Sequence, residues 1–294
     1  VSDKYDPDSR DRLEAGDLML SNNIWFALNG YTLADSVGKE DYTAAHLNAN
    51  ANIENDPMLM GISRTMDGGL DPRPAFDGPA FTSDMSDYPM DSFFECVGYK
   101  GAFGVTNWAK GWTGLDAYGL MAPSVAPTGT VVDVSSDISG QVAWTADNTY
   151  KLNGRVFVDP TAELYIEAGT VIKGAPGDST DASVLVVSRG GKLYAEGTGD
   201  RPIVFTAEAD DITNPVDVAY DTKGLWGGLI ILGNAPINAS GGEDNIEGIP
   251  IDARGLYGGD DAYDCSGVVR YTSIRHGGIS IGEGNEINGL TMGG

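Results

Sequence analysis

The sequence predicts an all-β fold, a right-handed parallel β-helix with an irregular, aromatic-rich capping segment. Residues 151–205 form a train of very short apolar runs, rich in β-branched and aromatic side chains and separated by turn residues such as Gly, Pro and Asp. Runs this short are typical of strands rather than helices. The runs are residues 156–158, 164–166, 171–172, 184–187, 193–195 and 203–205.

The order of these runs repeats along the chain. Three pairs align at steps of 28, 29 and 32 residues: Phe157 with Leu185, Tyr165 with Tyr194, and Ile172 with Val204. Such a period indicates a solenoid whose stacked coils share one apolar column, and the 41 glycines suit its sharp corners. A Greek-key β-sandwich also has short strands and glycine-rich turns, but it does not require a repeating order of strand types.

Composition limits the function classes. The chain has 294 residues, 41% of them hydrophobic, which is enough for a large core in one long domain or two. The net charge of −25 excludes nucleic acid as a partner, because phosphate binding needs clustered Lys and Arg. No apolar run approaches the ~18–20 residues of a membrane helix. The first residues lack a signal-peptide pattern, so we expect an export signal to be absent or already removed.

The two cysteines, Cys96 and Cys265, leave two alternatives open. They form one disulfide if the protein is extracellular, or they remain two small buried hydrophobic residues. Neither belongs to a CxxC pair or lies beside a His, which argues against zinc binding and thiol catalysis.

The chain is predicted to divide into residues 1–121, a linker at 122–129 and the β-helix at 130–294. Alternating apolar residues from Leu18 to Leu28 suggest one or two strands, and the Ala- and Asn-rich stretch 39–57 suits a short helix. His46 in that stretch is expected to be a surface or hydrogen-bonded residue. Residues 56–121 are proline-rich without periodicity, so an irregular segment lying over a core is expected.

Aromatic residues are concentrated between positions 93 and 118. They are Phe93, Phe94, Tyr99, Phe103, Trp108, Trp112 and Tyr118. We interpret this segment as the cover of an open core end. The alternative is a carbohydrate-binding module in which Trp108 and Trp112 expose their ring faces.

Several long strings carry a family resemblance. They are WTADNTYKLNGRVFVDPTAELYIEAGTVIKG, VLVVSRGGKLYAEGTGDRPIVFTAEADD, GLWGGLIILGNAPIN and DCSGVVRYTSIRHGGISIGEGNEINGLTMGG. Across residues 131–294 the chain resembles the start of a family of large secreted parallel β-helix proteins of bacterial cell surfaces, most of which have no assigned activity. The resemblance implies a secreted, extracellular or cell-surface location. DPMLMGISRTMDGGLDPRPAFDGPAF and FFECVGYKGAFGVTNWAKGWTGLDAYGLM resemble that family's closing part.

This order is the reverse of the family's, in which the opening coils come first. A circular permutation, a window across tandem modules, or a numbering that joins two subunits would explain it. Each explanation makes residues 1–121 and 130–294 complementary ends of β-helices. The first functional hypothesis is therefore an extracellular structural protein that assembles head to tail into a homopolymer, a filament or a surface array.

Two alternatives involve glycans. A β-helix enzyme, a lyase or hydrolase, would use paired carboxylates on a polysaccharide. Arg275-His276-Gly277 faintly resembles elements of polygalacturonase-like enzymes, but the full set of motifs is not present in order. A carbohydrate-binding adhesin would recognise a cell-surface glycan without reaction. The first hypothesis implies no catalytic residues.

Calcium is the expected metal, if one is bound, because it prefers several oxygen ligands. The candidate ligands are Asp260, Asp261 and Asp264 in a glycine-rich loop, Asp210 and Asp211 after a strand, and Asp3, Asp6, Asp8 and Asp11 near the start. None of these sets has EF-hand spacing, and solvated acidic turns are the alternative interpretation.

Overall fold

The computed structural model describes residues 9–36, 40–85, 94–110, 113–122, 129–178, 181–212, 214, 217–219, 221–247, 249, 253–282 and 285–294. It divides into two compact units, Val1–Pro89 with Gly98–Ala122, and Met90–Val97 with Pro123–Gly294. The predicted linker lies outside the described residues except for Ala122 and Gly129. None of the described helices has the length and apolar character needed to cross a bilayer.

The first unit consists of short helices and strands. In chain order they are α1 (Ser9–Ala15), β1 (Ile24–Trp25), α2 (Leu33–Ser36), α3 (Asp41–Ala49), β2 (Ile53–Glu54), β3 (Leu59–Ile62), β4 (Leu70–Pro74), α4 (Pro79–Thr82) and α5 (Gly114–Ala117). Strand β1 pairs in parallel with β2, and β3 pairs in antiparallel fashion with β4.

Predictions for this unit were right in part. Helix α3 lies in the expected stretch, and His46 Nε2 accepts a hydrogen bond from the Leu20 backbone N–H at 3.0 Å. In the part of the chain that the structure describes, the alternating pattern up to Leu28 forms β1 alone, and Leu18 and Phe26 are exposed rather than packed in a core. The expectation of an irregular segment at 56–121 was wrong for β3, β4, α4 and α5.

The second unit is a right-handed parallel β-helix. Its strands are β5 (Thr130–Val134), β6 (Gln141–Trp144), β7 (Asn148–Leu152), β8 (Arg155–Val158), β9 (Glu163–Ile166), β10 (Val171–Gly174), β11 (Val184–Val187), β12 (Lys192–Glu196), β13 (Ile203–Ala207), β14 (Gly228–Leu232), β15 (Asp244–Asn245), β16 (Leu256–Tyr257), β17 (Gly267–Arg270), β18 (Thr272–Ile274), β19 (Ile279–Gly282), β20 (Asn285–Ile287) and β21 (Leu290–Gly293). A short 3₁₀ helix, Ala253–Gly255, precedes β16.

Three parallel sheets form the walls of the coil. Their strand orders are β18-β13-β10-β7-β5 for the first sheet, β21-β14-β11-β8 for the second, and β17-β12-β9-β6 for the third. Three successive coils contribute one strand to each wall, namely β7, β8 and β9, then β10, β11 and β12, then β13, β14 and β17. All six predicted apolar runs lie in strands of these walls, so the fold prediction is confirmed.

The register corrects two of the three predicted alignments. Tyr165 does lie opposite Tyr194, but Phe157 lies opposite Val186 and Ile172 opposite Phe205, one residue away from the predicted partners. A shift of one residue exchanges the two faces of a strand. The predicted pairs therefore joined an inward side chain to an outward one.

The inward side chains form one continuous apolar column. Leu164, Leu193 and Phe205 belong to this column and are fully buried. Ring stacking continues along it, because Trp144 stacks on Tyr150 with centroids 4.7 Å apart. The buried strand that follows Trp226 is β14, and a Cβ at Gly227 would lie 2.3 Å from Val184 Cγ2, which explains the need for glycine there.

Insertions between the coil strands cover parts of the outside. Strands β15 and β16 form one antiparallel pair, and β19 and β20 form another. Ile246, Ile249 and Ile287 from these insertions pack on outward side chains of the second sheet. The insertion between β13 and β14, residues 208–227, forms one wall of the cleft described next.

Candidate functional site

A cleft of about 530 Å³ lies where the insertion 208–227 meets the residues that follow β18. Because β13 and β18 are neighbours in the first sheet and run in parallel, their carboxyl ends meet at this edge. Asp210 follows β13 and Arg275 follows β18, so the topology brings the two together. The cleft is lined by Asp210, Ile212, Asn214, Asp217, Val218, Ile274, Arg275 and His276.

Asp210 is the buried carboxylate of this cleft, with only 4% of its surface exposed. Its Oδ2 accepts a hydrogen bond from the Thr206 hydroxyl at 2.5 Å, and it lies 3.7 Å from Arg275 Nη1 and 3.9 Å from His276 Nε2. The Lys173 ammonium donates to the Asp210 carbonyl at 2.7 Å. These contacts hold the carboxylate in a fixed orientation.

His276 is fixed in one tautomer by its surroundings. Its Nδ1 lies 2.7 Å from the Thr222 carbonyl oxygen, which only accepts hydrogen bonds, so Nδ1 carries a proton. Nε2 therefore faces Asp210. The residue has φ +56°, in the left-handed region, and the backbone N–H of Leu225 donates to its carbonyl at 3.0 Å. The imidazole thus ties the insertion to the wall of the coil.

Arg275 supplies the positive charge of the cleft. Its main chain is held on both sides, because its N–H donates to the Phe205 carbonyl at 2.9 Å and its carbonyl accepts from Trp226 Nε1 at 2.7 Å. The side chain is 40% exposed, and its Nε donates to the Ser273 hydroxyl at 3.1 Å. The guanidinium therefore reaches solvent from a rigid base, next to a buried carboxylate.

Asp217 does not provide a second free carboxylate in this cleft. Its Oδ2 accepts from the Asp211 N–H at 2.5 Å and its Oδ1 from the Val218 N–H at 2.7 Å, so it closes a turn. Asp211 itself is exposed. A glycosidase needs two carboxyl groups that flank the bond to be cleaved. The arrangement suits hydrogen bonding to a polar ligand better than acid–base catalysis by a carboxylate pair.

The loop with Asp260, Asp261 and Asp264 is a hydrogen-bonded turn. Asp261 Oδ1 accepts from the Tyr263 N–H at 2.9 Å, and the Asp264 oxygens accept from Asn234 Nδ2 at 3.1 Å and Ser266 Oγ at 2.9 Å. Asp210 lies in the separate cleft, whereas the exposed Asp211 is not among the residues that line it.

Within the described ranges, no three His, Cys, Asp or Glu side chains come together as a metal site. Of the predicted N-terminal set, Asp3, Asp6 and Asp8 lie outside these ranges, as do Phe93 and Trp112. The calcium hypothesis stays a prediction.

Cys96 and Cys265 form a disulfide, which decides between the two alternatives.

Next to this disulfide lies an ionic cluster that the sequence did not predict. Arg270 donates to both carboxylate oxygens of Glu95 at 3.1 and 3.0 Å and to Glu196 at 2.5 Å. Glu196 is 7% exposed, and burial raises its pKa above the ordinary value, although Arg270 opposes this rise.

The ends of the apolar column are exposed. At one end the exposed residue is Val132 of β5, with an exposed fraction of 36%. At the opposite end the exposed residues are Val269 of β17 and Leu290 and Met292 of β21, with exposed fractions of 38%, 40% and 73%. Val132, Val269 and Leu290 lie in register with the buried column residues Tyr150, Ala195 and Leu229, and Met292 with Ile231, which packs partly buried against the column. All four therefore point inward along the solenoid.

Comparison with known proteins gives one match. A family model described as a pectate-lyase like beta helix domain matches residues 136–294. No curated protein and no solved structure matches the chain. The matched residues lie within the second unit and contain the cleft.

Proposed function

The chain belongs to the family of proteins with a pectate-lyase-like β-helix domain, and on this premise we propose that it is an extracellular structural protein whose β-helices join end to end. The Cys96–Cys265 bond supports the extracellular location, because disulfides persist in oxidising compartments.

The observation that carries this proposal is the exposure of the column at both ends. In the described part of the chain β5 and β21 are edge strands of their sheets. An edge strand is a template with which a strand of another chain can pair. The two ends are different surfaces, so a contact between them is heterologous and extends into a chain of copies.

The exposed apolar area sets the strength of this contact. The exposed fractions of Val132, Val269, Leu290 and Met292 together equal about two side chains. Their burial contributes roughly 3–6 kcal/mol at 1.5–3 kcal/mol for each fully buried side chain. Association costs about 4–15 kcal/mol in lost freedom, so backbone hydrogen bonds must add to the apolar term. Assembly is therefore expected to depend on concentration.

Light scattering and negative-stain electron microscopy across a concentration series test the proposal. Val132→Lys places a charge at the column end and should raise the concentration needed for assembly. Val131→Lys is the matched control, because this neighbour is 55% exposed and its register partner Thr149 lies on the outward face. A chain that stays monomeric at high concentration, or an equal effect of both variants, would count against end-to-end assembly.

A second candidate function, action on a polysaccharide, is favoured by the meeting of Asp210, Arg275 and His276 in one cleft. The net charge of −25 repels a polyanion, so a neutral polysaccharide is the better ligand. Release of reducing sugar from a glycan panel tests the enzyme hypothesis, with Arg275→Gln and Asp210→Asn as variants. Binding without release of sugar, lost in Arg275→Gln, would indicate a lectin-like role. If the chain neither binds a glycan nor releases sugar from one, this candidate function is excluded.

A further inference from the structure

Tyr271 lies at the corner where β17 passes into β18. Its φ is +45°, in the left-handed region that a bulky side chain rarely adopts. The same corner two coils earlier, between β9 and β10, contains Gly169 with φ +89°. Glycine adopts such a backbone without a steric cost, so tyrosine is an unfavourable choice for the corner itself.

The preceding coil fixes the backbone of this corner. The Ile203 N–H donates to the Tyr271 carbonyl at 3.1 Å, and the Gly197 N–H donates to the Arg270 carbonyl at 2.9 Å. A Cβ at Gly197 would lie 2.3 Å from the Tyr271 carbonyl oxygen, so the two corners are in close contact. The direction of the Cα–Cβ bond of Tyr271 is therefore fixed as well.

Packing within the chain uses little of the Tyr271 side chain. Its Cε1 comes within 3.9 Å of the position that a Cβ at Gly199 would take, so one edge of the ring lies over the neighbouring turn. The residue is nevertheless 63% exposed. A strained backbone that carries an exposed aromatic ring indicates a role other than stabilising the fold.

The position of Tyr271 indicates what this role is. In the described part of the chain, β17 and β18 are edge strands of the third and first sheets, at the end of the column where Val269, Leu290 and Met292 are exposed. Tyr271 follows Val269 by two residues, so it lies at the rim of this apolar end. The exposed fractions of the three aliphatic residues together equal about one and a half side chains, and Tyr271 adds nearly two thirds of a larger one.

We infer that Tyr271 is the aromatic anchor of the end-to-end contact, and that its ring packs against the opposite column end of a second copy of the chain. Tyrosine is enriched among the residues that carry most of the binding energy of protein interfaces. Its ring loses little conformational freedom on binding, and a fixed backbone lowers that cost further. This inference rests on the proposed end-to-end assembly and names the residue on which that assembly depends most.

Light scattering across a concentration series compares the parent chain with Tyr271→Gly and Tyr271→Asn. Both variants remove the ring, and both new residues tolerate a left-handed backbone. We expect the concentration needed for assembly to rise about tenfold or more in both. The melting temperature, measured below that concentration, should stay the same or rise, because the strain at this corner is relieved. Tyr271→Phe keeps the ring and should restore most of the assembly.

Tyr118→Asn is the matched control, because it removes a tyrosine of the first unit that is 72% exposed. It should assemble like the parent chain. Nitration of the parent with tetranitromethane, mapped by mass spectrometry, gives a second measurement. Tyr271 should react below the assembly concentration and be protected above it, whereas Tyr118 should react equally in both states.

The possible results separate this inference from the proposed function. A parent chain that stays monomeric at high concentration would contradict end-to-end assembly and, with it, the role of Tyr271. If the parent assembles and Tyr271→Gly and Tyr271→Asn assemble at the same concentration, the inference alone is overturned. Equal loss in Tyr118→Asn or unchanged nitration of Tyr271 on assembly would also overturn it. A fall in the melting temperature of both Tyr271 variants would assign the ring to the fold instead.

Discussion

Replacement of Arg270 by Gln tests the energetics of the ionic cluster beside the disulfide. The change removes the cation that lies 2.5 Å from the buried Glu196 carboxylate and leaves that carboxylate in place. Removing one partner of a fully buried pair costs about 3–5 kcal/mol. The Arg270 side chain is 42% exposed, so water can replace part of its contact, and we expect a loss of about 1.5–3 kcal/mol at neutral pH.

The pH dependence of this loss follows from the raised pKa of Glu196. A carboxyl group with a higher pKa in the folded state binds its proton more tightly there than in the unfolded chain. Stability is therefore lost as pH rises from the ordinary pKa of 4.5 through the folded value, and the loss is absent below both. Without Arg270 the folded pKa rises further, so the variant should approach the parent near pH 4 and differ most near pH 7.

Urea unfolding at several pH values measures both effects, and a double variant isolates the cause. Glu196→Gln removes the buried charge, so the combined Arg270→Gln, Glu196→Gln variant should recover most of the stability lost at pH 7. Arg10→Gln is the control, because its pair with Glu14 is more than half exposed and should contribute under about 0.5 kcal/mol. A double variant as unstable as Arg270→Gln, or a loss independent of pH, would refute the reasoning.

Three further predictions concern the disulfide, two glycines of the coil and calcium binding. Replacing Cys96 and Cys265 by Ser opens a loop of 169 residues and should cost up to about 5 kcal/mol, measured by unfolding against the oxidised parent; no change would indicate that the bond does not constrain the unfolded chain. Gly267→Ala should lower the melting temperature more than Gly190→Ala. Both glycines have positive φ, but only at position 267 would the new Cβ lie 2.0 Å from a backbone oxygen, that of Leu193. Equal melting temperatures of the two variants would contradict this packing. The calcium hypothesis predicts that chelation lowers the melting temperature and that Asn substitutions in the turn 260–264 remove the effect; an unchanged melting temperature would oppose it.

The β-helix was predictable because its signals are local. Each short apolar run ends at turn residues, and the corners need backbone conformations that glycine adopts, as at Gly154 with φ +85°. The first unit gave no such signal. Pro72 and Pro74 argued against a strand at β4, because proline is uncommon inside strands. The side chains of its partner β3 are mostly exposed, so β3 has no alternating apolar pattern.

The candidate sites were predictable as residue types but not as groupings. The sequence marked Asp210 as a candidate metal ligand and Arg275 as part of an enzyme-like motif. Only the pairing of β13 with β18 places the two residues in one cleft. Glu196 and Arg270 lie directly opposite each other in β12 and β17, although long insertions separate them in sequence. The steps of 29 to 33 residues between paired strands of the preceding coils do not extend across these insertions, so no spacing rule could join the two residues.

The one-residue error in register has a physical cause in the second sheet. Strand β11 reads Val-Leu-Val-Val and is buried at every position, so it has no polar face to mark its outside. Leu185 and Val187 face the column, while Val184 and Val186 face a second apolar cluster with Ile249. A strand covered on both faces loses the alternation that fixes register in a half-exposed strand. The insertions therefore add a second core outside the coil, and the same covering that stabilises this wall removes the sequence signal of its orientation.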